Sequence, residues 1–149
     1  MRKLYGVGRS ICFDAGERRI GVAVSDATGM LARPVGTLSI GGLDSTAAQQ
    51  ATDEIARLNG IEGDHIDTIV VGLPRRLDGS PNDMTGRVEV FAATLRDRTG
   101  LNVVLQDERL SSREAESRLA LREKDWRARK QRLDAAAAAI ILQDYLDTH

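Results

Sequence analysis

The run Thr68-Ile69-Val70-Val71-Gly72-Leu73 constrains this chain more than any other feature. It is apolar, rich in β-branched residues and lacks polar alternation, the pattern of a strand covered on both faces. Such a strand needs layers above and below it, which directs the chain towards an α/β arrangement. The flanking segments supply those layers. A helix can begin at Asp44 or Ser45, capped by those side chains, and run to about Leu58, where Asn59-Gly60 ends it. A second fits about Met84 to Arg98, stopped by Gly100, and Leu101 to Leu105 reads as a further strand ending at Gln106-Asp107-Glu108-Arg109.

Upstream, Ile11-Cys12-Phe13 leads into Asp14-Ala15-Gly16, and Arg19 to Ser25 forms a second β-type run a few residues later. Two such runs this close predict a hairpin. Arg33 to Ile40 fits a third, antiparallel strand, with Pro34 placing it at an edge or a strand start. Downstream, Ser111 or Ser112 is suited to cap a helix carrying Glu114 and Glu116 in its first turn. A last helix is expected over roughly Leu133 to Tyr145, where the alanines from Ala135 to Ala139 combine high helix propensity with room for close approach to a sheet. No repeat, linker or low-complexity tail divides the 149 residues. One domain, 1–149, is therefore expected, with a single mixed five-stranded sheet flanked by helices.

A chain of this length buries about 68–70% of the surface its unfolded form exposes, enough to fold without disulfides or structural metal. Aromatic residues are only 3%, so the core must rest on Ala, Val, Ile and Leu, and a base-stacking platform for single strands is disfavoured. Net charge is −1, which excludes a uniformly basic coat but not a local basic face. Cys12 is the single cysteine, and His65 and His149 lie far apart, so neither a disulfide nor a conventional zinc site has support. The longest apolar stretch, Ala135 to Leu142, is too short to cross a bilayer, and no secretory leader is evident. A cytoplasmic protein without a membrane partner is the expectation.

Carboxylates fall where strands end. Asp14 follows the first strand, Asp107 and Glu108 follow the fifth, and Asp134 opens the alanine helix. Sites in open α/β sheets gather at the carboxyl ends of strands. Converging carboxylates repel one another unless a counter-charge is present, and Mg²⁺ or Mn²⁺ supplies one with a preference for oxygen ligands. Paired ions of this kind can activate water and stabilise a leaving oxygen in phosphodiester cleavage. Taken singly, each acid also matches a cap, a turn or a surface ion pair.

Basic residues flank these acids. Arg75 and Arg76 lie in a glycine-containing loop after the buried strand, and Arg18 and Arg19 lie near the hairpin tip. Guanidinium groups there can hold phosphate oxygens by bidentate hydrogen bonds. From Arg109 to Arg132 there are nine Lys or Arg against four acids, a surplus of five, which leaves the rest of the chain at −6. That asymmetry suits a nucleic-acid-facing segment on an acidic body, although a solvated helical face would look the same. Trp126 in that stretch is read as a helix anchor rather than a base-stacking residue, and Cys12 as a buried strand residue.

Ile11-Cys12-Phe13-Asp14-Ala15-Gly16, Arg18-Arg19-Ile20-Gly21-Val22-Ala23-Val24-Ser25-Asp26, Ala32-Arg33-Pro34, Ile69 to Pro74 and Asp78-Gly79-Ser80 together resemble the YqgF/RuvX family. These are RNase H-like Holliday junction resolvases, also described as pre-16S rRNA nucleases. The likeness continues through Asp107-Glu108-Arg109-Leu110-Ser111-Ser112, Ala115-Glu116, Lys130, Asp134 and Ile140 to Leu146, in family order over nearly the whole chain. The resemblance implies an RNase H-like fold and a nuclease using Mg²⁺ or Mn²⁺ in cytoplasmic maturation of the 5′ end of precursor 16S rRNA. It further implies metal ligation by Asp14, Asp134 and one of Asp107 or Glu108, and a phosphate contact at Lys130; Arg109 is a further candidate for holding the nucleic-acid backbone. Cys12 departs from an expected Gly or Ala, and Glu17 from a position usually polar or basic.

Three readings compete. The first is a metal-dependent nuclease acting on precursor rRNA or on branched DNA; a junction resolvase predicts a homodimer for two symmetric cuts, whereas a trimming enzyme can act as a monomer. The second is a non-catalytic nucleic-acid-binding, transcription-associated module. The third is an ATPase of the actin and sugar-kinase type, which would need a second lobe and finds no Walker-type loop here.

Overall fold

The computed structural model describes residues 8–62, 65–108 and 126–148, with residue 62 and residues 126–133 described by backbone alone. Five strands form one sheet in the order β3-β2-β1-β4-β5. They are β1 (Arg9–Ala15), β2 (Arg19–Ser25), β3 (Ala32–Ser39), β4 (Ile66–Leu73) and β5 (Asn102–Asp107). β1, β2 and β3 form an antiparallel meander, while β1, β4 and β5 run parallel. The described helices are α1 (Ser45–Glu62), α2 (Thr85–Thr99) and α3 (Trp126–Thr148). β3 is an edge strand and carries Pro34 at a register irregularity, as the sequence requires of a proline in a sheet.

Strand alternation sorts the side chains onto two different faces. Ile11, Phe13, Ile20, Val22, Ile69 and Val71 pack with α1 and α2 residues such as Ala47, Ala51, Phe91 and Leu95. Phe13 and Phe91 meet edge to face, with ring centroids 6.3 Å apart. Burying an Ile- or Leu-sized side chain stabilises by about 1.5–3 kcal/mol, so this layer dominates the core energetics. The opposite face presents Cys12, Ala23 and Val70 to Ala138, Ile141 and Leu142 of α3. Cys12 is fully buried there, as the sequence implies. Farther along α3, Gln143 clasps the β2–β3 connection: its Oε1 accepts from the Ala32 N–H and its Nε2 donates to the Met30 carbonyl, both at 2.9 Å.

Two helix boundaries differ from expectation. α1 runs through Asn59-Gly60 to Glu62. The Asn59 side chain serves the incoming strand instead of a cap, accepting a 2.9 Å hydrogen bond from the Ile66 N–H. α3 is already helical at Trp126, well before Asp134, because Arg127 to Leu133 contains good helix formers and neither Gly nor Pro. Asp134 therefore does not open a helix and gains nothing from a helix N-terminus. By contrast α2 ends as expected, on Gly100 in the left-handed region at φ 68°, its N–H bonded to the Arg96 carbonyl. The helix expected from Ser111 or Ser112 lies outside the described residues. No helix among the described residues is long and apolar enough to cross a membrane.

Candidate active site

Because β1, β4 and β5 are parallel, their carboxyl ends meet at one end of the sheet. Asp14 is the penultimate residue of β1 and shares the α3-facing side with Cys12. Asp107 closes β5 opposite Leu73, and Glu108 follows, donating its N–H to the Leu73 carbonyl at 3.2 Å. Two glycines then determine how the acids meet. Gly72 leaves the space into which Glu108 turns; a Cβ there would lie 2.6 Å from Glu108 Oε2. Gly21, paired with Asp14 in the β1–β2 register, lets the backbone of α3 at Asp134 settle directly onto β2.

Asp14, Glu108 and Asp134 line one cavity of about 490 Å³, with Arg18, Arg19 and Asn82 in its wall. Burial raises the pKa of Asp14, the hydrogen bond with Glu108 lowers it, and the Asp134 charge raises it, with a net upward shift. Glu108 is raised as well, to about 10, by burial first, then by the charge of Asp14 and the hydrogen bond they share, then by Asp107. A proton held between the two carboxyls satisfies the hydrogen bond they share. Glu108 Oε2 is buried with no hydrogen-bond partner among the described residues. Asp134 sits beside a cation instead, its Oδ2 3.8 Å from Arg19 Nε. Burial first, then the charges of Asp14 and Glu108, push the Cys12 thiol well up, which suits a packing role.

Not every residue expected at the site reaches it. Asp107 is exposed and outside the cavity wall, and acts on Glu108 through its charge. Arg75 and Arg76 also lie outside the wall. Arg76 Nε donates to the Pro81 carbonyl at 3.1 Å, within its own loop. Arg18 and Arg19 do reach the cavity, and Glu17 joins them, 3.7 Å from Arg87. Arg109 and the Lys130 side chain lie outside the described residues. Gly21, Gly72, Asn82 and Met84 were not anticipated. Asn82 Oδ1 accepts from the Met84 and Thr85 N–H groups at 2.8 and 3.1 Å, and Thr85 Oγ1 donates to the Pro74 carbonyl at 2.6 Å. This network fixes the β4–α2 connection against the cavity.

The donor set bears on which ion would suit it. Among the described residues, no group of three His, Cys, Asp or Glu side chains stands ready to hold a metal ion. Asp14 and Glu108 touch, while Asp134 leans on Arg19. Yet a buried carboxyl pair with one oxygen unsatisfied among the described residues calls for positive charge, and its hard oxygen donors match Mg²⁺ or Mn²⁺. The residues present fit such an ion.

Residues 8–148 match the RuvX family, described as Holliday junction resolvase. The chain belongs to this family. Among its relatives, a protein of Burkholderia lata named "Putative pre-16S rRNA nuclease" is 42% identical over 137 residues, covering 92% of this chain and 87% of the relative. One of the same name from Geobacillus kaustophilus is 38% identical over 141 residues, covering 94% and 98%. The RuvX relatives are thus named as nucleases, hydrolases of ester bonds. Among solved structures, Thermus thermophilus RuvC in complex with a Holliday junction substrate matches with a TM-score of 0.51 at 12% identity, covering 95% of this chain and 94% of that one. That likeness concerns the fold, and agrees with the RNase H-like architecture expected from the sequence.

Proposed function

We propose that this RuvX chain is a divalent-cation-dependent nuclease that hydrolyses phosphodiester bonds in the 5′-end maturation of precursor 16S rRNA in the cytoplasm. The observation that carries this reading is the Asp14–Glu108 carboxyl pair at the strand ends, with one buried oxygen that has no partner among the described residues, in a cavity that Arg18 and Arg19 help to wall. Asp14, Glu108 and Asp134 are the residues that would hold Mg²⁺ or Mn²⁺. The ion supplies Lewis acidity and lowers the pKa of water at neutral pH. Arg19 keeps the Asp134 carboxylate in place and, with Arg18, offers donors to the phosphate. Asp107 contributes negative charge behind Glu108. Arg75, Arg76, Arg109 and Lys130 are assigned to the nucleic-acid backbone away from the reacting phosphate.

The names of the RuvX relatives support the rRNA substrate, and the family description supports a second reading, cleavage of branched DNA, for which two symmetric cuts would call for a homodimer. One assay tests both. Wild type and Asp14→Asn meet a 5′-extended precursor rRNA fragment and a four-way DNA junction at low salt with Mg²⁺ or Mn²⁺. Low salt is used because phosphate-driven binding weakens steeply with added salt. RNA cleavage that is absent in the variant supports the proposal, paired symmetric junction cuts support the resolvase, and cleavage unchanged by Asp14→Asn overturns the site.

A further inference from the structure

An exposed leucine lies in the connection that leaves this cavity at Pro74 and returns to it at Asn82. This residue, Leu77, is 62% exposed. Scattered surface leucines are ordinary in proteins, but this one is presented by a stiff support. Arg75 and Pro81 form an antiparallel bridge. Inside it the Arg76 N–H bonds to the Ser80 carbonyl at 2.9 Å, and the Gly79 N–H to the Arg76 carbonyl at 2.8 Å. Gly79 takes φ 89°, which the left-handed position after such a turn demands. Asp78 Oδ1 accepts from both the N–H and the hydroxyl of Ser80, at 2.9 and 2.6 Å. The result is a miniature hairpin with Leu77 and Asp78 at its tip, and exposed Arg75 and Arg76 on the strand leading to it.

We propose that Leu77 is a wedge that enters the base stack where a nucleic-acid duplex is interrupted, at a branch or a duplex-to-single-strand boundary. Apolar side chains inserted between base steps unstack them. The two exposed arginines on the strand leading to the tip supply positive charge for phosphates beside it, and the hairpin has already been ordered, so insertion need not order it. The inference rests on the nuclease reading and narrows its substrate from any phosphodiester to one next to a helical discontinuity.

The test uses the full chain carrying Asp14→Asn, so that no cleavage intervenes, with Mg²⁺ and an RNA duplex bearing a single-stranded 5′ extension. 2-Aminopurine is placed at the boundary, and a continuous duplex serves as the control. A rise in fluorescence on binding is expected. Leu77→Ala should abolish that rise and reduce the preference for the boundary on the order of tenfold, the scale of one lost base-stacking contact. Leu77→Met should keep both. Binding without a fluorescence rise, or an unchanged response in Leu77→Ala, overturns the wedge and leaves the nuclease reading intact. Binding to no nucleic acid at all overturns both.

Discussion

Gly21 lies directly beneath the Asp134 carbonyl, so close that a Cβ on residue 21 would overlap that oxygen. The obstacle would be backbone, which cannot rotate away, so Gly21→Ala must lift α3 from β2. We expect a loss of about 1–3 kcal/mol in unfolding free energy, the range for overpacking, together with loss of metal-dependent cleavage. Denaturant titration and the cleavage assay measure the two effects; a variant with wild-type activity would refute the role given to this contact.

Gly72→Ala should behave differently. Its Cβ would meet the free ends of Glu108 and Ile141 at 2.6 and 2.8 Å, and both can turn aside. A smaller stability loss than for Gly21→Ala is therefore expected, with comparable damage to activity because the displaced group is the Glu108 carboxyl. Equal stability losses in the two variants would contradict this distinction.

Asp14→Asn removes one charge from a crowded pair. Without it the Glu108 carboxyl loses the second-largest influence raising its pKa. In EDTA at neutral pH the variant should melt at a higher temperature than wild type, while cleavage falls by about two orders of magnitude or more, on the scale of losing one charge-stabilising group. Calorimetry of both proteins checks the first half; a lower Tm for the variant would mean that the pair is not under electrostatic strain.

The Glu108 shift also predicts a pH dependence. A carboxyl with a raised folded-state pKa favours the native state at low pH. Its contribution is fully present below the ordinary glutamate value of 4.5 and is lost as pH climbs towards the folded value of about 10. Metal-free protein should therefore lose stability between about pH 5 and about pH 9. A divalent ion competes with that proton, so Mg²⁺ or Mn²⁺ affinity should rise with pH over the same interval and binding should release protons. Titration calorimetry in buffers of different ionisation enthalpy reads that release, and a proton count of zero would argue against Glu108 as a ligand.

Asn82 is expected to stabilise the start of α2 from outside the helix. Asn82→Ala removes the acceptor for two backbone N–H groups. A cost of about 0.5–2 kcal/mol is expected, as for loss of a capping side chain, and chemical denaturation measures it.

Much of this architecture was legible in local patterns. The uninterrupted run at Ile69 to Leu73 marks the interior strand β4, and the paired runs around Asp14 and Gly21 mark the hairpin that orients Asp14. The acids could be named but not sorted. Asp107 and Glu108 are adjacent, and only the end of β5, with Asp107 still paired to Leu73, turns one outwards and the other in. A signal for the two glycines was nevertheless present. Ile11-Cys12-Phe13-Asp14, Ile20-Gly21-Val22-Ala23 and Val71-Gly72-Leu73 alternate larger with smaller side chains, and the smaller ones share the α3 side. Asn82 left no such trace, because its role depends on a loop conformation that composition does not encode.

The clasp of Gln143 on the β2–β3 connection has a consequence for what the chain can tolerate over time. Asp134 and Gln143 are nine positions apart on one helix, so roughly 13 Å of rigid rod separates the carboxylate from the far anchor. Inserting or deleting a single residue between them would swing one end by about 100° relative to the other. Either the carboxylate would leave the cavity or the amide would leave Met30 and Ala32. This stretch of α3 is a fixed-length gauge: residues within it can be exchanged, but their number cannot change.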